Sequence, residues 1–168
     1  YVERPIFQSF TWKLVEAAED LAGGNPASEK TTIGPLIRLA DAERIESWTK
    51  EAQQQGAKLL TGGERKGALV EPTVLSGTSA GMKVLDEEAF GPLVVVEAYD
   101  DFEAVLDEVN TSRFGLQVGL LTRDAGRIFL AYERLEVGAL VVGESPTWRL
   151  DSMPYGGIKE SGLGREGL

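Results

Sequence analysis

An α/β fold with a mainly parallel sheet and crossover helices is what this sequence predicts, on three observations. Five short apolar runs have strand length, at Lys58 to Thr61, Leu69 to Leu75, Leu93 to Tyr99, Leu116 to Thr122 and Ala139 to Gly143, and most are rich in β-branched residues or leucine. The later runs alternate with stretches of helical period, which is the order of strands joined by crossover helices. No repeat, low-complexity tract or interior linker marks a second domain, so the 168 residues are read as one domain. A chain of that size can bury about 70% of the surface its unfolded form exposes.

The helices are justified in order. From Ile6 to Ala22, the apolar residues Phe7, Phe10, Leu14, Ala17 and Leu21 recur at helical spacing, and Gly23 with Gly24 ends the pattern. A second helix, about Asp41 to Gln55, puts Ile45, Trp48 and Ala52 on one face and stops at Gly56. Asp100 is read as the cap of a third, carrying Phe102, Val105, Leu106 and Val109, with Glu103 completing a capping box. Asp124 is read as the cap of a fourth, bearing Ile128, Phe129, Tyr132 and Leu135. The sequon Asn110-Thr111-Ser112 is read as a helix C-terminus and turn, with Asn110 tolerating the left-handed conformation.

Composition excludes several classes of function. A net charge of −10 opposes binding to phosphate backbones and anionic lipid, so neither nucleic acid nor membrane is expected as a partner. No long apolar span and no basic-then-apolar N-terminus is present, and the expected location is cytoplasmic. With no Cys and no His, the chain holds no thiolate nucleophile, no Ser-His or Cys-His couple and no zinc site of the usual type. No catalytic residue and no metal ligand is assigned within it. Tyr1, in place of Met, opens a run that reads like the inside of a domain, so a piece of a longer polypeptide is expected.

Three segments stand out. Met153 to Gly167 (MPYGGIKESGLGREG) holds five glycines, and Gly162, Gly164 and Gly167 formally spell G-x-G-x-x-G. The dinucleotide fingerprint needs a strand before it and a helix after it, so a glycine-rich structural loop is the better reading. Asp86, Glu87 and Glu88 precede Phe90-Gly91-Pro92, and such a run is a solvated loop, a divalent-metal site, or a carboxylate that accepts two hydroxyls of a sugar diol. Pro146 to Tyr155 gathers Trp148, Met153 and Tyr155 near Arg149 and Asp151, either as a core plug or as the wall of a ligand pocket. Arg149 could pair with a substrate carboxylate or phosphate, or with Asp151. Lys13 and Lys159 are read as surface lysines.

Six segments in order resemble the aldehyde dehydrogenase superfamily: TTIGPLI (Thr31 to Ile37), GAKLLTGG (Gly56 to Gly63), EPTVL (Glu71 to Leu75), EEAFGP (Glu87 to Pro92), NTSRFGL (Asn110 to Leu116) and PTWRLDSMPYGGIKESGLGREG (Pro146 to Gly167). The resemblance covers nearly the whole chain. It implies an aldehyde-dehydrogenase-like catalytic domain downstream of the nucleophilic cysteine, with the NAD(P)-binding half and nucleophile segment absent. It also implies that Glu88 contacts the nicotinamide ribose, that Phe90 lies against the nicotinamide region, and that Gly91 lets the backbone come close. Trp148 and Tyr155 are matched to the aromatic positions of the substrate loop and would line the aldehyde tunnel. The implied parent oxidises an aldehyde to a carboxylic acid with NAD or NADP, and forms a homo-oligomer in which a neighbour's strand extends the sheet at Ala139 to Gly143. A non-catalytic remnant or interaction domain of the same fold is the alternative. Gly143 departs from the asparagine that many members carry at the end of that strand.

Overall fold

Proline in the first turn starts the first long helix, α1 (Arg4–Glu19), straight after the short strand β1 (Val2–Glu3); the missing N–H is one that a helix start leaves unbonded in any case. This computed structural model describes residues 1–167. Phe7, Leu14 and Ala18 form the inward stripe of α1, packed with Val2, Val74 and Val96. Phe10 and Leu21, expected on that stripe, are 41% and 42% exposed. Phe10 and Ala17 lie about 60 to 80° round the helix from the Phe7 row, which turns the face away from the one anticipated.

The second helix, α2 (Leu39–Gln54), buries Ala42, Ile45, Thr49 and Ala52. Its buried hydroxyl is satisfied, since Thr49 Oγ1 donates to the Ile45 carbonyl at 2.8 Å. Gly56 ends it at φ +108, with the Gly56 N–H on the Gln53 carbonyl and the Ala57 N–H on the Ala52 carbonyl. That pair of bonds is a Schellman stop, and it is why glycine stands there.

The strands β2 (Lys58–Thr61), β3 (Arg65–Lys66), β4 (Leu69–Val70) and β5 (Thr73–Ser76) follow, then a short helix α3 (Lys83–Asp86) and the strands β6 (Leu93–Val95) and β7 (Ala98–Tyr99). The expected strand Leu69 to Leu75 is cut at Glu71 and Pro72, where proline offers no ladder donor. Leu93 to Tyr99 is also cut, because the chain changes partner: β6 runs parallel to β5, and β7 runs parallel to β1. Between them the Glu97 carboxylate accepts from the Thr78 N–H and hydroxyl at 2.7 and 2.9 Å. β2 closes the other side of β5 in antiparallel register. Val74 and Leu75 are 1% and 0% exposed and point to opposite faces of β5. The α1 side chains cover one face; Trp48, Ala52, Met82 and Val84 cover the other.

These elements form one compact unit, Tyr1–Asp100, and a second unit begins at Asp101. The second contains α4 (Phe102–Asn110), β8 (Phe114–Gly115), β9 (Gln117–Leu120), α5 (Ala125–Arg134), β10 (Ala139–Val142) and β11 (Ile158–Lys159). β9, α5 and β10 are a parallel crossover unit, with Gln117 opposite Ala139 and Leu120 opposite Val142. β11 pairs antiparallel with β8.

The cap of α4 is Asp101 and not Asp100. The Asp101 carboxylate accepts from the Glu103 and Ala104 N–H groups at 2.9 and 3.3 Å. Asp100 instead receives Arg4 Nε at 2.6 Å, and this hydrogen bond holds its carboxyl below the ordinary range. With the cap one residue later, Glu103 falls one place short of the capping-box position and pairs with Arg134 at 2.6 Å. Asp124 caps α5 as expected, accepting from the Gly126 and Arg127 N–H groups at 2.8 and 3.2 Å. Replacing Asp101 by Ala should therefore cost about 1 kcal/mol, while Asp100→Ala, an exposed ion pair, should change the urea midpoint little. Equal shifts in the two variants would contradict this assignment.

Asn110 ends α4, but it is not left-handed; among the described non-glycine residues only Phe90 and Lys159 have positive φ. Its side chain works on the neighbouring helix, donating to the Arg134 carbonyl at 2.7 Å and accepting from the Glu136 N–H at 2.8 Å. Among the described residues, no helix is long and apolar enough to cross a membrane.

Candidate functional site

In the first unit, the segment Asp86 to Pro92 is fastened on both sides of one aromatic ring. Arg44 Nη2 donates to the Ala89 carbonyl at 2.8 Å, and the Ala89 side chain packs on the Ala42–Ile45 cluster. A Cβ on Gly91 would come 2.8 Å from Ile45 Cγ1, so this glycine is needed for seating the loop on α2, a reason the sequence reading did not include. Between these anchors Phe90 is forced out at φ +47 and is 74% exposed. A bulky residue at positive φ is strained, and a large ring in solvent gains nothing from burial. Such outliers concentrate at functional sites.

Asp86 and Glu88 differ. Asp86 accepts from the Gly81 N–H at 2.7 Å, which ties it to its own turn. Glu88 is exposed, and its carboxylate takes part in no hydrogen bond or ion pair among the described residues. No cluster of His, Cys, Asp or Glu with metal-binding geometry occurs among the described residues. A free carboxylate beside an outward-held aromatic face can accept hydroxyls from a sugar while the ring covers a flat heterocycle.

The second unit holds the other candidate residues. Tyr155 is half-buried, and its backbone bridges Glu166 through N–H to carbonyl bonds of 2.9 and 2.7 Å in the two directions. Arg149 lays its guanidinium 4.3 Å from the Tyr155 ring centroid and reaches Glu166 Oε1 at 2.8 Å. Glu166, not Asp151, is thus its carboxylate partner. A concavity of about 380 Å³ is lined by Leu116, Gln117, Pro146, Thr147, Arg149 and Tyr155. Trp148 belongs to the same loop, 42% exposed, and is not among the lining side chains.

Glycines shape the loop and the tail. Gly162, Gly164 and Gly167 have φ of +135, +78 and +85, none of them helical, which is the geometry of a glycine-rich structural loop. Gly143 sits at φ +87 with open space where a Cβ would be. Glycine and asparagine are the residues that best tolerate that region, so the backbone conformation here suits either.

Lys159 is not a free surface lysine. It adopts φ +54, and its Nζ donates to the Asn110 and Ser112 carbonyls at 2.7 and 3.1 Å and pairs with Glu136 at 3.1 Å. Gln117 was also passed over, although a lone amide inside an apolar run is a visible signal. Its Nε2 is buried with no hydrogen-bond partner among the described residues.

The aldehyde dehydrogenase family model matches residues 1–168. The chain belongs to the aldehyde dehydrogenase family. Among its relatives, a 3-sulfolactaldehyde dehydrogenase of Priestia aryabhattai is 47% identical over 99% of this chain and 35% of its own length. A lactaldehyde dehydrogenase of Methanococcus vannielii is 41% identical over 99% of the chain and 36% of its length. Solved structures agree. Aldehyde dehydrogenase 21 of Physcomitrella patens, in complex with its reaction product succinate, superposes with a TM-score of 0.97 at 44% identity, covering 99% of this chain and 35% of that one. The glyceraldehyde-3-phosphate dehydrogenase of Methanocaldococcus jannaschii complexed with NADP gives 0.94 at 37% identity, covering 99% of this chain and 36% of that one. The α/β fold is therefore that of an aldehyde dehydrogenase, and this aldehyde dehydrogenase segment spans about 35% of the length of the relatives it matches.

Proposed function

We propose that this chain is part of an NAD(P)-dependent aldehyde dehydrogenase that oxidises an aldehyde to a carboxylic acid, and that it contributes a nicotinamide-ribose contact and a wall of the aldehyde pocket. The observation that carries the reading is Phe90, held outward at φ +47 two residues after Glu88, whose carboxylate is uncommitted among the described residues. Glu88 would accept the ribose hydroxyls and Phe90 would cover the nicotinamide ring, both in the service of orientation. The dinucleotide supplies the hydride acceptor when bound. Tyr155 and Trp148 would wall the aldehyde. Similarity to a 3-sulfolactaldehyde dehydrogenase, and to an enzyme seen with succinate, supports an aldehyde bearing an acid group, for which Arg149 is the cation.

Thiol chemistry is not carried by these residues, since none of the 168 is Cys. The purified chain by itself should give no aldehyde-dependent reduction of NAD+ or NADP+ above background, read at 340 nm. Turnover by the mass-verified chain would contradict the division of labour proposed here. A complete protein that contains this segment should, by contrast, reduce one of the two cofactors with an acid-bearing aldehyde.

Association belongs to the same reading. β10 pairs with β9 on one side and has no described strand on the other. Its uncharged sequence ALVV makes that edge a template for a strand of a second copy. Self-association by sedimentation at about 100 μM is the expected result, well above the micromolar range in which exposed edges begin to matter, and a monodisperse monomer would contradict it.

A further inference from the structure

Gln117 opens β9, and its backbone is held in register opposite Ala139 of β10. The residues around it are Leu116 and Val118, so the run would accept another apolar side chain. A buried donor with no acceptor is costly, more so than an apolar side chain of similar shape. No described residue meets the Gln117 amide nitrogen.

The same side chain lines the concavity of about 380 Å³ with Thr147, Arg149 and Tyr155, while Leu116 and Pro146 supply apolar wall. The residues that line one cavity thus carry an amide, a hydroxyl and a guanidinium, with the amide nitrogen itself buried behind the lining surface. Glu166 engages Nη2 of Arg149, and no bond from Nη1 or Nε is formed among the described residues. Arginine has five donors, so this ion pair leaves capacity for a second anion.

We infer that Gln117 is a specificity-determining residue: its amide turns to donate to the acid group of the aldehyde, alongside the charge of Arg149. This rests on the proposed function for the reaction, and adds the residue that separates acid-bearing from uncharged aldehydes. The recognised chemistry is a carboxylate or sulfonate at the end of a short chain, because a neutral donor and a planar cation together match several oxygens on one group.

The test uses the complete enzyme containing this segment, as wild type and as Gln117→Leu, with succinic semialdehyde and with uncharged butanal, which has the same number of carbons. Gln117→Leu should raise KM for succinic semialdehyde about ten-fold with kcat nearly unchanged, and leave KM for butanal the same or lower. Calorimetric binding of succinate should weaken by a similar factor. Equal changes in KM for the two aldehydes, or unchanged succinate binding, would overturn the assignment, because the amide would then be met by another part of the enzyme. Should Gln117→Leu fail to fold, Gln117→Met keeps the unbranched shape and takes its place; if neither folds, the amide serves the strand and the inference is wrong. A wild type that oxidises no aldehyde overturns the proposed function, whereas the succinate arm still decides the role of Gln117.

Discussion

Replacing Gly138 by Ala is expected to destabilise the second unit by about 3 kcal/mol or more. A Cβ there would overlap the carbonyl oxygen of Gly156 and come 2.8 Å from that of Leu116. Both obstacles are backbone, so no side chain can turn aside to make room. The cost is borne where it matters for the site, since Gly138 leads into β10 and Gly156 lies in the turn that carries Tyr155. Relief would require the turn to lift off the strand. Gly143→Ala is the control: its Cβ meets nothing within 4 Å, and its penalty, about 1 kcal/mol, comes from φ +87 alone. Urea midpoints of the two variants check this. A Gly138→Ala midpoint equal to that of the unsubstituted chain would contradict the packing of the turn against β10.

Much of the architecture was legible because period and punctuation agreed. Lys58 to Thr61 is a strand with the bounds expected, Asp124 is the cap expected, and Gly56 stops α2. What failed did so where neighbours compete for one role. Asp100 and Asp101 have the same capping chemistry, and only Arg4, distant in sequence, removes the first from contention. The inward stripe of α1 could be drawn through Phe10 or Ala18, and packing against Val74 and Val96 decides for Ala18. A partner change at Val96 and a proline at Pro72 cut two apolar runs that composition alone leaves whole.

The site divides in the same way. The segments that hold Glu88, Phe90, Trp148 and Tyr155 stood out by their residues with several readings open, and resemblance chose among those readings. Phe90 shows why. Its positive φ arises from two anchors, Arg44 on Ala89 and Ile45 under Gly91, and both come from a helix about 45 residues upstream. Lys159 and Gln117 were missed because a lysine reads as solvated and an amide as incidental until its neighbours are known.

The central claim is that Glu88 holds the nicotinamide end of the cofactor, and Glu88→Gln in the complete enzyme tests it most directly. Glutamine keeps the size and the exposure, and exchanges charge-assisted hydrogen bonds for neutral ones. Single-turnover hydride transfer and cofactor affinity, measured on the same preparation, should together lose about 1 to 2 kcal/mol, roughly ten-fold. Affinity for the aldehyde in a dead-end complex should stay the same. A Glu88→Gln enzyme with unchanged cofactor affinity and an unchanged rate of hydride transfer would contradict the account.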